Sequence, residues 1–181
     1  ASFQLYSGEI LGVYGIVGAG RTELMASIFE GRAVKSAGEL SIRGQRKTLR
    51  DACSATAEKM AFVTEDRKKT GLVLEHSVQN NIALASLGKR SRFGRLDHKA
   101  EAAAVTETVK NFRIKVPDAS YLVRQLSGGN QQKVVLGKWM LNDPDILIMD
   151  EPTRGIDVGA KAEIYKMLRD FTEEGKGVIV I

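Results

Sequence analysis

A glycine-rich stretch has the residue types and the spacing that bind phosphate: Gly15, Ile16, Val17, Gly18, Ala19, Gly20, Arg21 and Thr22. It fits the phosphate-loop pattern G-x-x-x-x-G-K-[ST] except that Arg21 stands in the place of the lysine. Glycines let backbone N–H groups close around phosphate oxygens, and a helix N-terminus adds partial positive charge. Thr22 would place a hydroxyl group on Mg²⁺. The stretch predicts a nucleotide site, and the alternative is a glycine-rich turn without a ligand.

Arg21 is the departure from this pattern that bears on chemistry. Lysine offers a compact ammonium group that reaches between the β- and γ-phosphates, whereas a guanidinium group is larger, planar and suited to bidentate hydrogen bonds. We therefore expect nucleotide to bind, with poorer positioning of its γ-phosphate.

An apolar run, Ile146–Met149, ends in two adjacent carboxylates, Asp150 and Glu151. A buried strand would deliver Asp150 to the Mg²⁺ of a bound nucleotide, and Glu151 would polarise the attacking water as the catalytic residue. The pair alone is weak evidence, because two carboxylates can also cap the turn that begins at Pro152. The phosphate loop upstream favours the catalytic interpretation.

A pair of glycines lies shortly before this strand, in the segment Leu126-Ser127-Gly128-Gly129-Asn130-Gln131-Gln132-Lys133. Serine is a preferred residue at the start of a helix, and the two glycines expose backbone N–H groups there. The sequence thus predicts a second phosphate-binding helix terminus in the same chain.

Strands and helices alternate around these motifs. Apolar or alternating runs predict strands at Ala1–Leu5, Ile10–Tyr14, Leu40–Ile42, Met60–Val63, Ile146–Met149 and Val178–Ile181. Apolar residues at helical spacing predict helices after the phosphate loop, over His98–Phe112, over Asn130–Leu141 and around Ile164–Phe171. This alternation predicts an α/β fold with a mainly parallel sheet and an inserted helical subdomain.

Length and composition indicate one globular domain. The chain has 181 residues, 43% of them hydrophobic and 27% charged, and its one cysteine, Cys53, cannot form an intrachain disulfide. Its longest apolar runs fall far short of the roughly 20 residues that span a bilayer, so we expect a cytoplasmic location. The net charge of +5 invites a nucleic-acid partner, but the basic clusters lack interleaved aromatic residues, so we expect none.

Together the motifs resemble those of the ATP-binding subunits of ABC transporters, whose Leu-Ser-Gly-Gly-x-Gln signature occurs here at Leu126–Gln131. The order of phosphate loop, helical insertion, signature, Asp-Glu strand and D-loop (Gly155-Ile156-Asp157) matches this family over essentially the whole chain. Other stretches resemble the second, C-terminal ATP-binding half of bacterial monosaccharide importers of the ribose, xylose, galactose and arabinose type. They include Glu65-Asp66-Arg67-Lys68, Gly71–Leu74 and Glu151–Lys161.

The resemblance implies a P-loop NTPase core with flanking helices, a small antiparallel β part and an inserted α-helical subdomain. Within a single domain fragment over residues 1–181, we expect the core at about 1–75 and 142–181. The helical subdomain, with the signature, would lie at about 76–141. At both ends of the chain the pattern is that of a strand without a turn beyond it, so we expect the chain to be part of a longer polypeptide.

In this family the signature of one half closes over the phosphate loop of the other. The resemblance implies that the signature completes a site on the first half of the same polypeptide, or on a second copy, through Ser127, Gly128, Gly129 and Gln131. A weaker second site for ATP and Mg²⁺ would be formed by Gly15 to Thr22, Asp150 and Glu151. Glu65 takes the place of the Q-loop glutamine, where a carboxylate facing phosphate needs Mg²⁺ or a proton between them.

The resemblance also implies partners and a function. We expect transmembrane permease subunits to bind through residues 64–84, a periplasmic or extracellular sugar-binding protein to act indirectly, and the chain to lie at the cytoplasmic face of the membrane. The implied function is ATP hydrolysis that powers monosaccharide import. One alternative is a hydrolysis-poor regulatory nucleotide-binding module, which Arg21 and Glu65 would suit. Another is the ABC-type head of a DNA-repair or chromosome-maintenance protein, which ranks low because no sustained heptads lie between Thr22 and Leu126.

Overall fold

The computed structural model of the chain describes residues 1–16, 18–32, 38–92 and 95–181. They form two compact units that are interleaved along the sequence. The first unit comprises Ala1–Phe62, Pro144–Glu151 and Leu168–Ile181, and the second comprises Val63–Asp143 and Pro152–Met167. None of the helices in these ranges combines the length and the apolar composition that a membrane crossing requires.

The structure contains the predicted strands from Ile10 onward and the predicted helices, together with short elements that the sequence pattern does not predict. In chain order they are β1 (Ile10–Gly12), α1 (Arg21–Phe29), β2 (Leu40–Ile42), β3 (Gln45–Lys47), α2 (Ala52–Ala57), β4 (Met60–Val63), α3 (Val78–Ala83), α4 (Leu87–Arg90), β5 (Ser91–Arg92), β6 (Arg95–Leu96), α5 (His98–Asn111), α6 (Gly128–Met140), β7 (Ile146–Met149), α7 (Val158–Glu173) and β8 (Gly177–Val180). Single turns of 3₁₀-helix at Leu84–Ser86 and Val123–Gln125, and one of π-helix at Arg67–Gly71, lie between them.

The first unit is built on a four-stranded sheet in the order β1-β8-β7-β4. Strand β8 runs parallel to both of its neighbours, with Ile10 opposite Val178 and Ile146 opposite Gly177. The four residues of β4 are buried, as are three of the four in β7. Continuous apolar runs of this kind are typical of parallel strands that are covered on both faces. Beside the sheet, the ring of Phe29 on α1 packs 5.7 Å from that of Phe62, centroid to centroid.

Short hairpins supply the antiparallel part of the fold. Strands β2 and β3 pair with Leu40 opposite Lys47, and their turn residues Arg43 and Gly44 have φ angles of 52° and 74°. Left-handed values at both turn positions are what a two-residue hairpin of type I′ requires. Strands β5 and β6 form a second antiparallel pair.

Close helix packing organises the second unit. A Cβ atom added to Gly137 on α6 would lie 2.7 Å from Thr108 Cγ2 on α5, so only a glycine allows these helices to approach so closely. Asn81 on α3 accepts a hydrogen bond from Val73 N (2.8 Å) and donates one to Val73 O (3.0 Å). Many residues of α3 and α6 are buried, and they include polar and charged residues such as Asn81, Gln131 and Lys138.

The predicted fold class is confirmed, with a parallel sheet, helices around it and small antiparallel pairs. The predicted strand at Ala1–Leu5 is wrong, because residues 1–5 form no strand. Leu5 instead packs against Gly177, where an added Cβ atom would lie 2.7 Å from Leu5 Cδ2. The alternation of apolar residues in Ala1–Leu5 does not correspond to a buried face, because residues 1–4 are exposed and only Leu5 is partly buried. The division into a core and a helical subdomain near residues 76 and 141 stays a prediction.

Lys138 is an unusual charge in the second unit. Its side chain is 7% exposed, and its Nζ atom donates a 2.7 Å hydrogen bond to Gly71 O and lies 5.1 Å from the ring centre of Trp139. Burial disfavours the ammonium form and lowers the pKa of Lys138 from 10.5 to about 8. Between these two pH values the unfolded chain binds more protons than the folded chain, so the free energy of unfolding rises with pH.

Substituting Lys138→Met should remove this pH dependence. Relative to the variant, the wild-type chain should gain about 3 kcal/mol of stability as the pH is raised from 8 to 10.5, since one pKa unit corresponds to about 1.4 kcal/mol and most of the pKa difference is titrated in this range. Urea unfolding of both proteins across this pH range measures the difference. Lys110→Met, on an exposed position of α5, controls for the loss of a positive charge. A constant difference between wild type and Lys138→Met would contradict the assignment.

Candidate functional site

The phosphate-loop residues lie in the first unit, between β1 and α1. Gly18 and Gly20 have φ angles of 81° and 74°, which residues with a Cβ atom rarely adopt. A hydrogen bond from Ala19 N to Ile16 O (3.1 Å) closes a turn within the loop. No side chain caps α1 at Gly20, and the first N–H groups of a helix have no partner inside the helix. The loop therefore has the geometry of an anion-binding helix start. Val17 lies outside the described residues.

The side chain of Arg21 folds back toward the start of the loop. A Cβ atom added to Gly15 would lie 3.4 Å from Arg21 Cδ and 3.3 Å from Ala19 Cβ. Gly15 and Arg21 therefore lie close together, and a larger residue at position 15 would have to displace the arginine.

Thr22 and Asp150 are in direct contact within the first unit. Thr22 Oγ1 donates a 2.6 Å hydrogen bond to Asp150 Oδ2, and the Asp150 residue, which follows the buried β7, is only 2% exposed. Hydroxyl and carboxylate oxygens are ligands that Mg²⁺ prefers, and Mg²⁺ in nucleotide sites is commonly held by one or two such groups together with substrate phosphates. These two residues therefore fit the ion that the sequence predicts.

Glu151, the predicted catalytic residue, has a left-handed backbone with φ of 42°. Its N–H donates to Ile181 O at 3.2 Å, and the residue is exposed. A residue with a Cβ atom rarely adopts this conformation, and such strain concentrates at functional sites. The turn directs the chain abruptly away from β7 directly after Asp150.

The signature residues lie in the second unit, at the start of α6. Ser127 is the N-cap residue, and its Oγ accepts hydrogen bonds from Asn130 N (3.5 Å) and Asn130 Nδ2 (3.0 Å). Gln131 is 4% exposed, and its Nε2 donates to Val123 O at 3.2 Å. In the structure the Gln131 side chain therefore fixes the segment before the signature.

Both signature glycines are positions of close approach. A Cβ atom added to Gly128 would lie 2.7 Å from Arg67 Nη2, and one added to Gly129 would lie 2.8 Å from Ala160 Cβ. Asp157 caps this part of α7, because its Oδ1 accepts a 2.9 Å hydrogen bond from Ala160 N, which also lowers the pKa of Asp157. The signature turn thus lies against the side chain of Ala160 at the start of α7.

Glu65 belongs to the second unit and has a cationic partner. Its carboxylate forms an ion pair with the Arg154 guanidinium, and both side chains are partly exposed. The sequence predicts that a carboxylate facing phosphate at this position needs Mg²⁺ or a proton between them. In the structure Arg154 supplies a positive charge next to this carboxylate.

Arg67 and Arg154 are two further residues of the second-unit site, and the sequence alone predicts no role for either. Arg67 donates to the backbone oxygens of Arg154 (3.0 Å) and Gly155 (3.4 Å). In the sequence, one arginine stands two residues after Glu65 and another stands beside the D-loop. The contact between Arg67 and residues 154–155 depends on tertiary structure, so neither position alone predicts it. The structure brings Thr22 and Asp150 together in the first unit, and Glu65, Arg154 and Arg67 in the second.

Comparison with curated proteins gives relatives that are longer than this chain. The xylose import ATP-binding protein XylG of Geobacillus kaustophilus is 48% identical over 180 residues, which cover 99% of this chain and 36% of XylG. The ribose import ATP-binding protein RbsA of Clostridium perfringens is 46% identical, over 100% of this chain and 36% of RbsA. The galactose/methyl galactoside import ATP-binding protein MglA of Treponema pallidum is 44% identical, over 99% and 36%. The chain thus spans about a third of the length of each of these relatives.

Solved structures and a family profile agree on the fold. The dimeric, post-hydrolysis structure of the ATP-binding cassette MJ0796 bound to ADP and Pi superposes with a TM-score of 0.80 at 24% identity, over 98% of this chain and 76% of that one. At this identity the likeness concerns the fold alone. The ABC transporter profile matches residues 1–154. This match covers most of the chain, and the chain therefore belongs to the ABC transporter family.

Proposed function

We propose that this chain is an ATP-binding and ATP-hydrolysing half of an importer for a monosaccharide. The observation that carries the proposal is the 2.6 Å hydrogen bond from Thr22 to the buried Asp150, because it joins the end of the phosphate loop to the end of the apolar strand. The printed names of the relatives, which are import ATP-binding proteins for xylose, ribose and galactose, support the sugar class. The activity belongs to the longer polypeptide of which this chain forms a part.

In this proposal the first unit binds ATP through the loop from Gly15 to Thr22. The loop glycines and the start of α1 hold the β- and γ-phosphates, and Arg21 adds a positive charge. Thr22 and Asp150 would hold Mg²⁺, which would neutralise phosphate charge when it is bound with the nucleotide. Glu151 orients and polarises the attacking water, and its left-handed backbone lies where the chain turns away from β7.

The second unit acts on a nucleotide held elsewhere. Ser127, Gly128 and Gly129 offer a second helix start to the phosphates of an ATP bound by the first half of the polypeptide, or by a second copy, while Gln131 supports this turn from within. Because the signature is intact and the phosphate loop carries Arg21, we propose that this chain contributes mainly in trans and that its own site hydrolyses ATP slowly.

The chain works with membrane partners in this proposal. Transmembrane permease subunits bind it through residues 64–84 at the cytoplasmic face of the membrane, and a periplasmic or extracellular sugar-binding protein delivers the sugar to them. The names of the relatives support an import function, and the permease contact follows from the place of this segment in the family.

Thr22→Val should weaken Mg²⁺-dependent nucleotide binding to this chain by about tenfold, since it removes one ligand group worth about 1.4 kcal/mol without changing the shape of the side chain. The measurement is photolabelling of the full-length polypeptide with azido-ATP, with and without Mg²⁺, located by peptide mapping to this chain so that the other half does not contribute.

Ser27→Ala is the matched control, because it removes a hydroxyl group from the same helix, where Ser27 Oγ donates to Leu24 O. Labelling that survives Thr22→Val unchanged would contradict the proposed site. Labelling without phosphate release, in the assembled complex with permease subunits, would favour the hydrolysis-poor regulatory module instead.

A further inference from the structure

Arg67 lies against two backbone segments of the second unit, residues 154–155 and the signature turn at Gly128. It begins the π-helical turn Arg67–Gly71, and its guanidinium donates from Nη1 to Arg154 O at 3.0 Å and from Nη2 to Gly155 O at 3.4 Å. The planar group thus spans two successive carbonyl oxygens, which is the geometry that guanidinium favours over ammonium.

The signature turn rests on the same guanidinium. A Cβ atom added to Gly128 would lie 2.7 Å from Arg67 Nη2 and 3.1 Å from Gly155 O, so a side chain at position 128 would have to displace the guanidinium, whereas glycine leaves it in place. Gly155 itself has a φ angle of 64°, so the turn that Arg67 binds is also one that requires glycine. The first glycine of the signature and the D-loop glycine therefore meet at one side chain.

The surroundings of Arg67 hold it in this place. Asp66 accepts hydrogen bonds from Lys68 N (3.0 Å) and Lys69 N (3.1 Å), which fixes the backbone beside Arg67. The Glu65 carboxylate pairs with the Arg154 side chain, while Arg67 binds the Arg154 and Gly155 backbone. Residues 65–67 therefore hold residues 154–155 through both a side chain and the backbone. The Nε atom of Arg67 is buried and has no hydrogen-bond partner among the described residues. The side chain is therefore held by the hydrogen bonds from Nη1 and Nη2 to the two carbonyl oxygens, and its Nε atom does not contribute.

We propose that Arg67 is a positioning residue for ATP turnover, which sets the signature turn and the D-loop together by holding the Arg154–Gly155 backbone against Gly128. This assignment rests on the proposed function, because the signature is the part of the chain that acts on nucleotide. Loss of the guanidinium should let both turns move at once, whereas the phosphate loop, in the other unit, keeps its contacts.

The test compares Arg67→Met, Arg67→Lys and wild type in the full-length polypeptide. For Arg67→Met we expect the kcat for ATP hydrolysis to fall by about 10- to 100-fold, as misplacement of groups near a reacting centre does, with the KM for ATP within about twofold of wild type. Arg67→Lys should recover only part of the kcat, because one ammonium group cannot bind both carbonyl oxygens in a plane. Amide hydrogen exchange at Gly128, Gly129 and Gly155 should become about tenfold faster in Arg67→Met.

Arg46→Met is the control, because it removes an arginine from an exposed ion pair with Glu39 and should alter neither kcat nor exchange at these glycines. Unchanged exchange at Gly128 and Gly155 in Arg67→Met would overturn the assignment, as would full recovery of kcat by Arg67→Lys. Absence of ATP hydrolysis in the wild-type protein would instead overturn the proposed function, and with it the turnover that Arg67 is proposed to support. The two failures are therefore distinguishable.

Discussion

Ser127→Arg in the full-length polypeptide should reduce ATP turnover to less than about a tenth of the wild-type rate, whereas Glu151→Gln should leave more than half of it. Ser127 caps α6 directly before the two glycines, and an arginine there would fill the space in which we propose that those N–H groups bind a phosphate. If the signature serves the more active site in trans, its loss removes most turnover. The site that contains Arg21 and Glu151 would contribute the smaller share.

Phosphate release at saturating ATP measures both variants. Because Ser127→Arg also removes a helix cap, which costs about 1 kcal/mol, a second cap in the same unit serves as the control. Asp97 caps α5 by accepting a hydrogen bond from Ala100 N, and Asp97→Arg should leave turnover unchanged. Greater loss in Glu151→Gln than in Ser127→Arg would reverse the proposed division of labour between the two sites.

Gly31→Ala should be among the most destabilising single changes in the first unit. Gly31 follows the end of α1 with a φ angle of 71°, and an added Cβ atom would lie 2.6 Å from the carbonyl carbon of Leu49 and 2.7 Å from that of Arg50. These are backbone atoms, which cannot rotate away as the end of a side chain can. We expect a loss of about 3 to 5 kcal/mol. In a protein of this size this is a decrease in melting temperature of roughly 10 °C, measured by thermal unfolding.

Gly44→Ala separates the two causes of this effect. Gly44 also has a positive φ angle, of 74°, but an added Cβ atom there would meet no atom within 4 Å. It should therefore cost only the backbone strain, about 1 kcal/mol. Equal melting temperatures for the two variants would mean that the approach of Leu49 and Arg50 to Gly31 does not limit stability.

Much of the fold could be predicted because its signals are local. The apolar run Ile146–Met149 is the strand β7, and the helix predicted over Asn130–Leu141 is α6, which begins two residues earlier and ends one residue earlier. The phosphate-loop glycines predict their own left-handed turns. In each of these cases the residues that determine the structure are neighbours in the chain.

The remaining features depend on distant residues. The pairing of Glu65 with Arg154 joins segments far apart in sequence, and the reason for glycine at position 128 is the side chain of Arg67. Likewise, nothing local in α6 indicates that Lys138 is buried against Gly71 O. At Ala1–Leu5 the local pattern predicts a strand that does not form. An alternating pattern gives a strand only where a neighbouring strand pairs with it.

The position of β8 in the sheet has a consequence for how the protein forms during synthesis. Strand β1 is made near the start of the chain, yet Ile10 pairs with Val178. At ribosomal rates the intervening chain takes roughly 10 to 30 seconds to appear, and during that time β1 has no β8 to pair with. The four-stranded sheet of the first unit, in which β8 lies between β1 and β7, can therefore form only after β8 has been made. Chaperones that shield unpaired apolar strands during this interval should raise the fraction of the protein that reaches its native state.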